Sequence, residues 1–303
     1  MKTHRTLSGI ALAALLLAAA AAAGPRVTAV VRTGNAPCGA VAAFGALWVA
    51  NYRSGTVVRI DPRRNRVTRT IRVGHSPCWI AAGAGALWVA RDRAATVTRI
   101  NPKTFRTRSA RVDAEPFDVE VAYGSLWVTS FAEGTLLRVN TRTLAVVDRI
   151  TLGGSPSALA TGFGSLWVGF GRSATSVARI KPATLAVTRV PTGARAPGRL
   201  TVSGNAIWVT TDEHTTVRID PTTNRVVASL RTGESPAQAA LAPDGTVWVP
   251  AKASNTVSRI DPARNRVVDS FRAGPGALTA VRAFGSMWVT SFAGNDVWRF
   301  RPG

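Results

Sequence analysis

The 303-residue chain has little lysine, histidine, cysteine or acid. Of its 38 basic residues only Lys2, Lys103, Lys181 and Lys252 are lysines, against 16 acidic residues, for a formal charge of +22. Two cysteines, Cys38 and Cys78, allow one bridge at most, which excludes a disulfide-stapled miniprotein. With 46% hydrophobic and 18% charged residues it is not a disordered polyelectrolyte. Past residue 23 no apolar run is long enough to span a membrane, and no stretch holds helical periodicity. Beyond that point the histidines are His75 and His214, too few for a His-based metal site. There is no G-x-S-x-G elbow, Cys–His nucleophile motif or phosphate loop.

What is present begins with an export signal. Lys2, His4 and Arg5 precede an apolar, Ala-rich run from Ile10 to Ala23 that ends in small residues. Residues 1–23 read as a signal peptide cleaved before Gly24, leaving a secreted chain (periplasm, cell wall or medium) without a transmembrane segment. Residues 24–303 read as one domain.

The remainder repeats one motif seven times. GALWV, GSLWV, NAIWV, GTVWV and GSMWV steps place Trp48, Trp88, Trp127, Trp167, Trp208, Trp248 and Trp288 at spacings of 40, 39, 40, 41, 40 and 40 residues. Each period reads as four short strands. The first follows a turn ending in Pro, as at Pro37 and Pro156, and the second holds Trp-Val. The third resembles TVVRI (Thr56 to Ile60), stopped by Asp61-Pro62 or its copies, because Pro presets φ and donates nothing to a ladder. The fourth resembles NRVTRTIRV (Asn65 to Val73). Short strands with this period predict an all-β, seven-bladed β-propeller rather than a helical solenoid. The last repeat lacks a fourth strand, and residues 26–34 are an unattached copy of one. They are expected to complete blade seven beside residues 296–300, removing an exposed edge.

Repeats of the form GSLWV…TVxRIDPxxNRVVxxI resemble the YVTN/YncE-type seven-bladed propellers and are similar to the propeller of streptogramin (virginiamycin B) lyases. The resemblance covers residues 26–303. It implies architecture firmly and activity poorly, because these propellers host many functions. The lyase resemblance implies a metal-assisted eliminase with Mg²⁺ bound by His and Glu. Those lyases often carry Glu three residues after the Trp. Here the positions are Asn51, Arg91, Ser130, Phe170, Thr211, Ala251 and Ser291, so no catalytic residue carries over.

In near-identical blades, a residue present seven times reads as scaffold. That applies to the Trp and to the third-strand arginines Arg59, Arg99, Arg138, Arg179, Arg218, Arg259 and Arg299. The latter are expected to pair locally with carbonyls or with the Asp two residues on. Residues that differ between blades are the candidates for function. The loops between second and third strands supply Tyr52, Arg91, Phe131, Phe170, Arg172, His214, Lys252 and Phe292, a candidate binding rim. Nine residues before each Trp the innermost strand gives Gly39, Trp79, Asp118, Ala158, Arg199, a small residue in blade six, and Thr279. Asp118 shares a strand face with Glu120. These charges either bind a polar ligand, hold Ca²⁺ if more oxygens join them, or line an empty channel.

Three functions remain open. The leading one is a non-catalytic, monomeric exported scaffold that binds a small molecule, glycan or protein segment on its loop-rich face, with no cofactor. The second is a lyase using His214 and Glu213 with Mg²⁺. The third is a passive envelope component attracted to anionic polymers through its basic rim. Arg63, Arg64, Arg66, Arg69 and Arg72, with Arg264, Arg266 and Arg272, fall in outer strands and turns. That spreads charge around the perimeter and argues against a nucleic-acid groove. Cys38 and Cys78 occupy matching positions in adjacent blades, and whether they bridge stays undecided from sequence.

Overall fold

The structure, a computed structural model, describes residues 24–303. The proposed signal peptide lies outside the described residues. Seven four-stranded antiparallel sheets form the blades. Blade one comprises Pro37–Ala43, Ala46–Asn51, Thr56–Asp61 and Arg66–Arg72. The same order repeats, and one short 3₁₀ turn, Asp92–Ala94, is the only helical element among the described residues. Innermost strands contact their neighbours in a closed circle, with blade one touching both blade two and blade seven.

Blade seven is completed from the other end of the chain. Arg26–Arg32 pairs antiparallel with Asp296–Arg301, Val30 opposite Trp298. The expected closure is therefore observed, and no innermost or outermost strand of that blade is left without its sheet.

The repeated tryptophans are the core. All seven are buried to 1% exposure or less, packed between blades. Each indole N–H is satisfied. Trp48 donates to the Ala43 carbonyl, Trp88 to Gly83 and Trp127 to Ala122, all at 3.0 Å, and Trp167 and Trp288 do the same at 3.2 Å. Trp208 and Trp248 use the Ser203 and Thr246 hydroxyls. A large apolar ring with its single polar atom paired inside is the condition for burying Trp.

The third-strand arginines pair locally in part, Arg179 with the Phe163 carbonyl and Arg299 with the Phe284 carbonyl of their own blades, but three of them also reach further. Arg218 donates to the Pro262 carbonyl at 2.8 Å and to Asn265 Oδ1 at 2.7 Å, both in the next blade's turn. Arg179 reaches Pro221 and Asn224 in the same way, and Arg299 reaches Pro62 and Asn65 across the ring closure. For these three the neighbouring blade is a partner, whereas Arg59, Arg138 and Arg259 bond within their own blades. The Asp two residues on is already engaged, since Asp61 Oδ1 accepts the Arg63 and Arg64 N–H groups and holds its own turn. The staple occurs where the turn carries Asn in the left-handed conformation, as at Asn65, Asn224 and Asn265. Where Phe105, Leu144 or Leu185 stands there instead, the arginine of the preceding blade has no amide to reach.

Innermost strands of blades one, two, three, four and seven shift register near their start, as between Pro116 and Val119. Such bulges re-aim side chains. In blade three the bulge sends Phe117 towards the loop face and Asp118 into the channel.

A channel mouth of aromatic and cationic side chains

The loop face opens on a cavity of about 330 Å³, lined by Tyr52, Trp79, Phe117, Arg199, Lys252 and Phe292, among others. Beneath it a second cavity of about 190 Å³ is lined by Trp79, Asp118, Glu120, Gln238 and Thr279. Trp79 is their shared wall.

Local geometry fixes these groups. Tyr52 Oη donates to Asp92 Oδ2 at 3.1 Å. The Lys252 ammonium lies 4.6 Å from the centre of the Phe292 ring, which also faces Tyr52 at 6.4 Å. Phe117 stacks on Phe131 at 5.2 Å, and the Arg172 guanidinium lies 4.9 Å from the centre of the Phe131 ring. The Arg199 guanidinium sits 3.8 Å from the Trp79 ring centre and 5.0 Å from that of Phe117, and donates to the Ser157 carbonyl at 2.5 Å.

Trp79 is the exception among the tryptophans. It is 5% exposed, yet its buried indole N–H has no partner in the protein. A buried donor without an acceptor costs about 1–3 kcal/mol, and this one belongs to the side chain that walls both cavities.

Of the inner carboxyls Asp118 is buried and Glu120 half-buried. Asp118, 8% exposed, accepts the Val119 N–H at 2.8 Å and the Leu159 N–H of blade four at 2.9 Å. Burial pushes its pKa up to about 6 against the opposing pull of Arg199 and those N–H groups. Glu120 accepts a hydrogen bond from Thr161 at 3.1 Å. Burial, reinforced by the Asp118 charge, pushes it up to about 7. Burial brings Arg199 down to about 10, with Asp118 acting against the shift.

Sequence reasoning expected a small residue at the channel position of blade six. Because Ala240 pairs with Trp248 there, eight residues before the Trp rather than the seven of the other blades, the position is Gln238. Its amide donates to the Leu200 carbonyl at 2.8 Å, tying blade six to blade five. Thr279 similarly donates to the Cys38 carbonyl across blades seven and one. Asp118, Gln238 and Thr279 therefore also hold the inner ring together.

The two cysteines are bridged, with Cα atoms 5.1 Å apart. Matching positions come within reach because Gly39, next to Cys38, has no side chain. A Cβ there would lie 2.7 Å from the Cys78 carbonyl oxygen.

Of the residues singled out from sequence, Tyr52, Trp79, Arg199, Lys252 and Phe292 line the mouth, with Phe131 and Arg172 continuing its wall. Asp118 and Glu120 lie below. Three stand apart. Phe170 is 1% exposed in the interblade core, under Arg189. Arg91 donates to the His75 carbonyl at 3.3 Å. His214 takes the left-handed position that Gly55 and Gly134 occupy elsewhere, and its carbonyl accepts the Thr232 N–H at the outer strand. Neither His214 nor Glu213 lines either cavity. Phe117 escaped notice because a simple alternating strand would not aim it at the mouth.

No cluster of three or more His, Cys, Asp or Glu able to hold a metal exists among the described residues. No helix among them is long and apolar enough to cross a membrane. The eight outer arginines named above are all exposed.

The ring is similar to solved propellers. It matches hydrazine synthase of Kuenenia stuttgartiensis with TM-score 0.74 at 14% identity, covering 88% of this chain and 96% of that one. It matches a catalytically inactive virginiamycin B lyase variant of Staphylococcus aureus with quinupristin at TM-score 0.79 and 15% identity, covering 90% and 98%. A selenomethionine form of that lyase gives 0.78 and 15%, covering 91% and 99%. Identity this low speaks for the fold alone. No curated protein matches the sequence. Residues 118–294 match the model described as "Domain of unknown function (DUF5074)". That match spans more than half the chain, and the protein belongs to the DUF5074 family.

Proposed function

We propose that this protein is an exported, non-catalytic propeller that binds a small molecule carrying a flat apolar face and an anionic or hydrogen-bond-accepting group at the channel mouth. The unpartnered Trp79 N–H carries the proposal. Eight of the nine tryptophans donate to protein acceptors, and the one that does not borders both cavities. Around it Phe117 and Phe292 offer ring faces, and Lys252 and Arg199 offer positive charge. Export is supported by the amino-terminal signal pattern and by the Cys38–Cys78 bridge, which suits an oxidising compartment.

The test is a thermal-shift screen of aromatic carboxylates, acidic sugars and macrolactones, since a ligand of the native state raises the melting temperature by mass action. The expected ligand shift is lost in Trp79→Phe and reduced in Lys252→Met and Phe292→Ala, but kept in His214→Ala. A shift indifferent to all three mouth substitutions would refute the site.

Similarity to the virginiamycin B lyase propeller favours a second reading, a lyase. The donor set does not fit the Mg²⁺ that this chemistry uses. Among the described residues no three His, Cys, Asp or Glu side chains converge to hold it, and neither His214 nor Glu213 lines a cavity at the mouth. Turnover of a cyclic streptogramin, abolished in His214→Ala, would establish the lyase and displace the binding reading. The exposed outer arginines allow weak, salt-sensitive adsorption to anionic polymers in either case.

A further inference from the structure

The third-strand arginines serve as controls for one another. Six of the seven make hydrogen bonds. Arg179, Arg218 and Arg299 staple the next blade, Arg138 uses Ser125 and Asp148, Arg259 uses Asp244, and Arg59 uses Thr68. The Nε atoms of Arg99, Arg218 and Arg259 are all buried without a partner, but Arg218 and Arg259 bond through their terminal nitrogens, whereas Arg99 makes no hydrogen bond at all.

Each usual partner has been replaced around it. The Ser that accepts Nε in blades three, four and seven (Ser125, Ser165, Ser286) is Ala86 in blade two. The Asn of the next turn is Leu144. The residue directly opposite in the fourth strand, where Arg138 meets Asp148, is Arg108. Arg108 is itself occupied with the Arg142 and Thr143 carbonyls at 3.3 and 3.2 Å.

The space left is a cleft of about 1010 Å³ between blades two and three. It lies on the face opposite the channel mouth, since the turns joining first to second and third to fourth strands form it. Arg99 and Arg142 line it, Tyr123 forms a wall with 44% of its surface exposed, and no carboxylate lines it. Guanidinium groups without a counter-charge in a cleft are matched by oxyanions, which accept several N–H bonds at once.

We infer that this interblade cleft is a second binding site, taking a tetrahedral oxyanion such as a phosphate or sulfate group through Arg99 and Arg142. It is separate from the channel mouth and does not depend on the function proposed there.

The experiment titrates inorganic phosphate, inorganic sulfate and acetate into the described chain by calorimetry, with Arg272→Gln as a control for loss of one exposed charge. Saturable binding of one phosphate or sulfate is expected. Arg99→Gln and Arg142→Gln each weaken it at least about tenfold, the scale of one charge-assisted hydrogen bond, while Arg272→Gln does not. Leu144→Asn keeps every charge but offers Arg99 the missing staple, so it should weaken binding too. Should that variant fail to fold, Ala86→Ser supplies the Nε acceptor instead and predicts the same loss. Preference for phosphate over sulfate, or the reverse, identifies which ester the site takes. Equal binding of acetate would overturn the tetrahedral assignment. Binding unchanged in Arg99→Gln, or weakened equally by Arg272→Gln, would overturn the site.

Discussion

The Arg199 guanidinium, from blade five, lies 3.8 Å from the ring centre of Trp79, from blade two, and so crosses the channel between blades that are not neighbours. It also bonds to Ser157 of blade four and faces Phe117 of blade three. One side chain thus braces four blades and forms the floor of the mouth. Replacing it with Met is expected to destabilise the fold by about 2–4 kcal/mol, because Asp118 loses its only opposing charge while still buried. Arg199→Lys should recover little, since an ammonium cannot stack as a plane. Urea unfolding of the three proteins checks this; equal stability of Arg199→Met would contradict the bracing role.

The inner carboxyls predict an unusual pH dependence. Folding raises Asp118 from 3.8 to about 6 and Glu120 from 4.5 to about 7, so between those limits the folded state holds more protons than the unfolded chain. Stability therefore falls as the pH rises from about 4 to about 7 and levels off above, by an amount of the order of 6 kcal/mol for the two groups together. Asp61, held by the Arg63 N–H, and Asp261, paired with Arg264, lie below the usual carboxylate range and act oppositely, losing their contribution only in stronger acid. Unfolding free energies across pH 4–8 should show the decline, and Asp118→Asn with Glu120→Gln should flatten it. A rise over that range would refute the assignment.

Staples between blades should be individually modest. Asn265→Ala removes the amide that Arg218 reaches at 2.7 Å, and a loss of about 1 kcal/mol is expected. Asn65→Ala, at the ring closure, should cost a similar amount and also expose Arg26–Arg32 to faster hydrogen exchange, because Arg299 is paired with both that turn and that strand. Exchange confined to blade one would argue against the weld.

The Cys38–Cys78 bridge closes a loop 40 residues long. Loop-closure entropy gives about 4 kcal/mol for a loop of that size, and Cys38→Ser with Cys78→Ser should lose much of it. The denaturation midpoint with and without reductant measures this. No change on reduction would mean the bridge does not contribute.

How much of this could be read from the residues depended on repetition. Seven equally spaced Trp-Val steps and an orphan strand at 26–34 implied the ring and its closure, because a pattern present in every blade admits one explanation. The mouth was half legible. Tyr52, Lys252 and Phe292 stand out as departures from the repeat, whereas Phe117 depends on a bulge and Gln238 on a shifted register, and neither leaves a mark in spacing. His214 looked chemical beside Asp212 and Glu213, but it fills a left-handed turn position at the outer side. Arg99 could not be told from its six copies until the partners missing around it were in view.

The central claim is that Trp79 marks the ligand site, and the indole N–H resonances of the nine tryptophans test it most directly. On titration with a ligand from the thermal-shift screen, the Trp79 signal should move downfield as its N–H gains an acceptor, while the seven core signals stay in place. Saturable binding that leaves Trp79 unmoved and perturbs residues around His214 would contradict the account.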